Sequence, residues 1–480
     1  MANRLWGALF LFVCLSPLIL WSGEKLSLSL ERAEALALEN NKSLNELRYL
    51  VEEARLGYLI KVADYLPKLE LISQGFQTQH DQMQGSENKS SFVTQFVLTQ
   101  KIFSSDIYYN IKIADLVYNE LKILYLSGLN DLLYQVRRAY YKIVWDHQDL
   151  ETMKTKVEVL RELALRMEER YGIGTTTSFD VNQAQVAVSN ALAEYYTSKK
   201  ILKVDQDALV KLLGEDPGSL DLVIEEKEIP LSQVTNLKKL MQRGEGIFLK
   251  SPVASGFILP PNNPEAQKRY LDALYTPDEM EGWERLSLSY RPELRRAENA
   301  WKIAEKKVSQ ARGKYLPDLE FEMNYGGEPT PFDEYPRSNF RNQSFQWGVG
   351  VTLRWNLFDS LKREKEIRAA KAKSHAEHCS WERQKEQTLL EVRDQLFSIE
   401  NAMATKLSSE GNVRLAKQTL AQAGERLEIG TLSIFDYQIA VNQLVEAKNI
   451  YDRSQFELID AYYQLRHASG IDVEKLWTEQ

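Results

Sequence analysis

Few side chains in this 480-residue sequence are spaced for chemistry. His375, His378 and Cys379 fall at i, i+3 and i+4 of a predicted helix, where imidazole and thiolate could ligate a soft metal. One helix rarely supplies three well-angled ligands, so the plain reading is an ordinary helix face. The remaining histidines, His80, His147 and His467, form no pair. No Ser-His-Asp order, Gly-rich phosphate loop or Cys-x-x-Cys is present, so the chain is expected to be no enzyme and to carry no cofactor or metal. The chemistry that remains is electrostatic. Thr177-x-x-Asp180 and Ser433-x-x-Asp436 are capping-box patterns, each just after a glycine (Gly174, Gly430) able to take the left-handed conformation that ends a helix. One reading of the two aspartates is helix stabilisation, worth ~1 kcal/mol each. The other is that these carboxylates act through their charge, attracting cations and repelling anions. The two are compatible.

Both turns belong to an internal duplication. Asp64-Tyr65-Leu66-Pro67-Lys68-Leu69-Glu70 matches Lys314-Tyr315-Leu316-Pro317-Asp318-Leu319-Glu320, and Phe92…Leu98…Ile102-Phe103 matches Trp347…Leu353…Leu357-Phe358. Arg170-Tyr171-Gly172-Ile173-Gly174-Thr175 matches Arg426-Leu427-Glu428-Ile429-Gly430-Thr431 at an offset of 256, which still holds at Gly214 and Gly470. Matches in one order with nearly constant offset mean two copies of one unit. The chain therefore divides into 1–23, a first repeat 24–216 (strands 68–77 and 92–100, tip 171–180), an insert or linker 217–283, and a second repeat 284–480 (strands 318–325 and 345–355, tip 427–436).

Proline placement says where helices can run. None occurs over 68–216 or 337–480, while twelve of the fourteen fall between Pro217 and Pro336. Interior proline costs a helix ~3 kcal/mol, so the proline-free tracts are where long helices fit. Within them Leu150, Met153, Val157, Leu160, Ala164, Met167 and Tyr171 step by three and four, as do Val413, Ala416, Leu420, Ala423 and Leu427. These are coiled-coil seams, and the copies often exchange large for small residues, as at Leu160/Ala416 and Ala164/Leu420. Helices over about 105–172 and 360–429 would each span ~100 Å.

The strands of the second copy alternate cleanly. Leu319, Phe321, Met323 and Tyr325 share one face, and Phe345, Trp347, Val349, Val351, Leu353 and Trp355 share another. Trp347 and Trp355 lie ~26 Å apart along a strand, close to a lipid-facing band between aromatic girdles after tilting. A soluble sheet over a core would alternate similarly. Polar loops are expected over 77–91 and 326–344. Four strands cannot close a barrel and an open edge is forbidden in lipid, so membrane-spanning strands would require an oligomer.

Composition agrees. A net charge of −8 and a pI near 5.5 argue against nucleic acid as a partner. A mean hydropathy of −0.40, with no long apolar run after residue 23, excludes a bundle of membrane helices and leaves a soluble protein or a barrel. Residues 1–23, with Arg4 followed by uncharged Leu5 to Gly23, read as a signal peptide. Cys14 would leave with it, and the remaining Cys379 can form no intramolecular disulfide.

The duplicated Tyr-Leu-Pro junctions, the strand exits Gln100-Lys101-Ile102-Phe103 and Trp355-Asn356-Leu357-Phe358, and the two Gly-Thr…Phe-Asp tips resemble the TolC-like outer-membrane efflux family over about 26–215 and 284–472. The resemblance implies a mainly α fold with a small transmembrane β part. Long antiparallel helical coiled-coil hairpins join four strands per chain that contribute to a trimeric twelve-stranded barrel. It implies a homotrimer in the cell outer membrane, mostly periplasmic, that meets a periplasmic adaptor (membrane fusion) protein and an inner-membrane pump. Exported small molecules or proteins would pass through it in a tripartite efflux or type I secretion system. Gly174, Asp180, Gly430, Leu432, Asp436 and Ile439 would then form the periplasmic gate, Tyr325, Phe345, Trp347 and Trp355 the membrane girdle, and Pro67 and Pro317 the helix–strand junctions. In that family an aspartate at the position of Asp180 helps lock the mouth against an arginine and a tyrosine. Those two positions are Leu432 and Leu427 here, and Ile439 replaces a second constriction aspartate. Closure by apolar packing with one acidic ring is the expectation. A secreted structural coiled coil or envelope tether is the alternative.

Overall fold

The computed structural model describes residues 26–82, 85–216, 222–225, 229–231, 277–327, 330–331 and 345–473. The expected signal peptide and most of the 217–283 segment lie outside the described residues. The elements run β1 (Leu26–Leu28), α1 (Leu30–Asn40), α2 (Lys42–Ala63), β2 (Lys68–Gln82), β3 (Gly85–Phe103), α3 (Ser105–Gly172), α4 (Ser178–Leu212) and β4 (Leu222–Ile224). They continue as α5 (Pro277–Tyr290), α6 (Pro292–Gly313), β5 (Asp318–Gly327), β6 (Thr330–Pro331), β7 (Phe345–Arg354), α7 (Lys362–Glu428), α8 (Ile434–Ser469) and a 3₁₀ turn at Ile471–Val473.

Two helices set the scale. α3 has 68 residues and α7 has 67, each about 100 Å long. Each turns back at its tip into a helix half as long, α4 or α8. The long helices outlast these partners, and a second short helix continues the line. Asn41 makes that abutment: its side-chain amide donates to the Leu212 carbonyl at the end of α4 (2.9 Å), and its side-chain oxygen accepts from Leu44 N–H at the start of α2 (3.1 Å). Glycine permits the close approach. Gly214 has φ +87°, and a Cβ there would sit 2.3 Å from the Asn40 carbonyl oxygen. Gly470, 256 residues on, has φ +69° and would meet the Tyr290 carbonyl oxygen at 2.8 Å, joining α8 to the α5–α6 corner in the same way.

The main core lies around these abutments, at mid-height on α3 and α7. Tyr140, Val136, Ile143, Leu209, Leu396, Ile399, Ile459 and Leu465 are fully or almost fully buried there. Tyr140 donates its hydroxyl to the Leu28 carbonyl (2.9 Å), tying down β1, which pairs in parallel with β4. Each of these strands has three residues, too few for alternation to register in sequence. A buried ion network closes the core: Arg137 bridges Glu34 and Asp472, and Arg466 also reaches Asp472. Burial alone would raise the Asp472 carboxyl, but the two guanidiniums outweigh it and hold it below the ordinary value.

The strands form one antiparallel sheet in the order β2-β3-β5-β7, with β6 beside β3. Several boundaries depart from the sequence reading, among them β5, which runs to Gly327 instead of 325, and β3, which runs to Phe103 instead of 100. The stretch 77–91, expected as a polar loop, is mostly strand, because the β2–β3 ladder runs out to Gln82 opposite Gly85. A polar strand carries no apolar alternation, yet its backbone groups are satisfied by pairing all the same. β7 stops at Arg354, so Trp355 stands just beyond it. α7 starts at Lys362, since Ser360 and Leu361 take left-handed φ values of 59° and 66°.

Candidate functional site

The tips between α3 and α4 and between α7 and α8 are nearly the same object built twice. Ile173 N–H donates to the Glu169 carbonyl, Gly174 N–H to Tyr171, and Thr175 N–H to Arg170. Ile429, Gly430 and Thr431 repeat all three bonds onto Glu425, Leu427 and Arg426. Gly174 (φ +77°) and Gly430 (φ +74°) supply the left-handed turn. Thr177 and Ser433 then cap the next helix by accepting from Asp180 N–H (3.3 Å) and Asp436 N–H (3.1 Å).

The aspartates differ. One oxygen of Asp180 accepts from the Thr177 hydroxyl (2.7 Å), the Thr176 hydroxyl (2.9 Å) and Thr177 N–H (3.1 Å). These bonds, led by Thr177, hold its carboxyl below the usual carboxylate value. Leu432 stands where the first tip has Thr176, so Asp436 accepts a side-chain bond from Ser433 alone (2.7 Å) and is exposed. All the bonds of Asp180 are local. Leu427 is buried at 6% exposure in a cluster with Leu163, Met167, Ile434 and Val441 that seals the first hairpin to the second. Leu432 is half-buried, while Ile439 is exposed.

A cross-hairpin clasp escaped the sequence reading. Arg170 donates to the carbonyls of Leu427 (3.1 Å) and Glu428 (3.2 Å), the last residues of α7. A cation suits a helix C-terminus, where carbonyls lack partners and the dipole is negative. Arg166 adds an ion pair to Glu428 at 3.5 Å. The available signal was the arginine repeated at 170 and 426, four residues before each glycine.

At the opposite end, the sheet register makes one continuous apolar face. Leu69, Leu98, Met323 and Val349 form one cross-strand row, and Leu71, Phe96, Tyr325 and Trp347 the next. Trp347 is 72% exposed and Leu71 61%, which in water would be a large apolar patch with no cover. The reverse face carries Glu70, Asn324 and Gly348 in register, and Lys101 pairs with Glu320 at 2.7 Å. Phe345 begins β7 opposite Gly327. Trp355 is exposed and donates its indole N–H to the Tyr315 carbonyl (3.0 Å). The outer edges of β2 and β7 have no partner strand among the described residues.

The junctions at Pro67 and Pro317 use the same backbone turn, with Leu66 N–H bonded to Ala63 and Leu316 N–H to Gly313. Their fastenings differ. The Tyr65 hydroxyl donates to the Ile102 carbonyl at 2.7 Å. The second junction uses Arg363, which pairs with Asp359 at 2.8 Å, lies 4.5 Å over the Tyr315 ring and is 7% exposed. His378 meets Trp301 edge-on (4.6 Å) and lies tilted against Trp381 (5.6 Å), while His375 and Cys379 are exposed. Among the described residues, no group of three or more His, Cys, Asp or Glu side chains could hold a metal ion. No described helix is long and apolar enough to cross a membrane.

Comparison with known proteins gives the same two-part pattern. The outer membrane efflux protein family matches residues 35–215 and 283–470. Outer membrane protein OprJ of Pseudomonas aeruginosa is 21% identical over 85% of this chain and 77% of its own length. Alkaline protease secretion protein AprF of the same organism is 21% identical over 79% of this chain and 70% of its own. The crystal structure of outer membrane protein VceC from Vibrio cholerae superposes with a TM-score of 0.71 at 17% identity, covering 92% of this chain and 96% of that one.

Proposed function

The chain belongs to the outer membrane efflux protein family, and from that premise we propose that it is the outer-membrane exit duct of a tripartite efflux or type I secretion system. Three copies pool their four strands into one twelve-stranded barrel in the outer membrane. The paired long helices form a tunnel through the periplasm. The observation that carries this reading is the exposed apolar sheet whose edges at β2 and β7 have no partner strand among the described residues. Lipid covers the apolar face, and β7 of one copy against β2 of the next removes both edges, as a bilayer requires. The Lys101–Glu320 face becomes the wet lumen. Trp347, Tyr325 and Phe345 on the one side and Trp355 on the other mark the girdles of the apolar band.

The duct is passive. It performs no catalysis, and the tips act as its gate. There Gly174 and Gly430 set the turns, Leu432 and Ile439 give apolar closure, and Asp180 and Asp436 supply carboxylates to the mouth. A periplasmic adaptor docks around the tips and an inner-membrane pump selects the cargo, whether small molecule or protein.

Membrane fractionation and gel analysis test the reading. The protein is expected in the outer-membrane fraction, released only by detergent, and migrating as a trimer until heated. A monomer in the soluble periplasmic fraction would sink the duct and favour a secreted coiled-coil tether.

A further inference from the structure

The two tips share one backbone but stand at different seams. Inside the chain, Arg170 reaches from α3 to the carbonyls of Leu427 and Glu428, closing the seam between the first hairpin and the second. In a trimer of this twofold repeat, every such seam alternates with one between the second hairpin of one copy and the first hairpin of the next. Adding 256 turns Arg170 into Arg426, and subtracting 256 turns Leu427 and Glu428 into Tyr171 and Gly172. Because the tips repeat the same backbone bonds, that alternation brings Arg426 to the carbonyl end of α3 in the neighbouring copy.

Independent observations fit. Arg426 is exposed and, among the described residues, its side chain has no partner. Tyr171, the counterpart of buried Leu427, is 53% exposed within one chain, so a large residue awaits a cover. The wall that would receive it is smaller: Leu163 and Met167 become Thr419 and Ala423. A bulkier knob meets a roomier hole. The second ion pair, however, has no counterpart, because Arg166 becomes Gln422 and Glu428 becomes Gly172.

We propose that Arg426 clasps the Tyr171 and Gly172 carbonyls of a second copy of this chain, without the further ion pair that Arg166 adds to the seam inside a protomer. The mouth then has alternating seams, the one between protomers lacking that ion pair, and it opens between protomers first. This inference rests on the trimeric duct proposed above.

The test uses the full-length protein with Cys379→Ser. Arg426→Cys combined with Tyr171→Cys is expected to give covalently linked protomers on denaturing gels after treatment with a short bis-maleimide. Separately, Arg426→Ala in planar bilayers is expected to raise the open-to-closed ratio of single channels about tenfold. Arg426→Lys should restore only part of the closure, since a shorter side chain with a single nitrogen lacks the planar fork whose two nitrogens reach the two carbonyls. An intact heat-sensitive trimer without the cross-link, or with gating unchanged by Arg426→Ala, overturns the clasp and leaves the duct standing. A wild-type protein that forms no trimer overturns both.

Discussion

Set the first repeat beside the second and the backbone agrees where the side chains do not. Gly214 and Gly470 make the same left-handed close approach, and Gly174 and Gly430 the same tip. Around these shared points the polar groups diverge. At mid-height on α3, buried Asp146 lies 3.8 Å from Lys142, which also pairs with Asp205. Adding 256 to the three gives Ser398, Ala402 and Ala461, of which Ala402 and Ala461 are buried. Duplication thus preserved what the chain path demands and released what only one copy needs.

The shared points should be the most expensive to disturb. Gly214→Ala would place a Cβ 2.3 Å from a backbone oxygen at a left-handed φ, and a loss of about 3 kcal/mol is expected. Gly470→Ala, with 2.8 Å of room, should cost less. Thermal melts of the detergent-solubilised protein measure both. Equal and negligible shifts would mean that the helix ends are not locked together at all.

The unshared cluster predicts a pH effect centred on the first repeat. Burial, followed by the contact with Asp205, pushes the Asp146 carboxyl up to about 7. A carboxyl raised above its unfolded value of 3.8 favours the fold while protonated. That contribution is complete at acid pH and is lost as pH rises from about 4 through 7. Asp146→Asn should therefore stabilise the protein by about 1 kcal/mol at pH 8 and change little at pH 4. Asp452, pushed by burial up to about 6, adds a weaker slope of the same sign. Stability of the variant that fell with pH as steeply as wild type would break the assignment.

These contrasts also separate what was legible in the sequence. The long helices, both tips, the junction prolines and the second-copy strands could be read because each leaves a periodic or duplicated mark. The β2–β3 extension could not, since polar strands satisfy their backbone without any apolar rhythm. Nor could the β1–β4 pair, too short for a period. The contacts of Arg170 and Arg363 were hidden for a different reason, although the arginine itself recurs at 170 and 426. Arg170 reaches carbonyls of another hairpin, and Arg363, besides its local pair with Asp359, lies over the Tyr315 ring; these carbonyls and this ring are brought near only by the fold, so nothing beside the arginines in sequence advertises those contacts.

Helix capping should differ between tips by less. Thr177 belongs to a complete capping box, whereas Ser433 caps Asp436 without Thr176's equivalent. Thr177→Ala is expected to cost about 1 kcal/mol, and Ser433→Ala somewhat less, in melts of the intact trimer. The reverse order would show that the extra threonine contributes nothing to the first tip.

The smallest expected effect is on ion selectivity, and it turns on the same asymmetry. Asp180 spends one oxygen on three donors from Thr176 and Thr177, so much of its field is already answered within the turn. Asp436 is exposed and has one such side-chain donor. A carboxylate left to solvent at a narrow mouth attracts mobile cations more than one whose charge is locally hydrogen-bonded. Asp436→Ala should accordingly lower the cation preference of single channels in planar bilayers, seen as a reversal potential moved toward zero in a salt gradient. Asp180→Ala should move it less. Raising the salt should shrink both shifts, because screening shortens the reach of exposed charge to about 3 Å at 1 M. If the two substitutions shift the reversal potential equally, the threonine bonds do not attenuate Asp180, and the tips are electrostatic equals despite their different side chains.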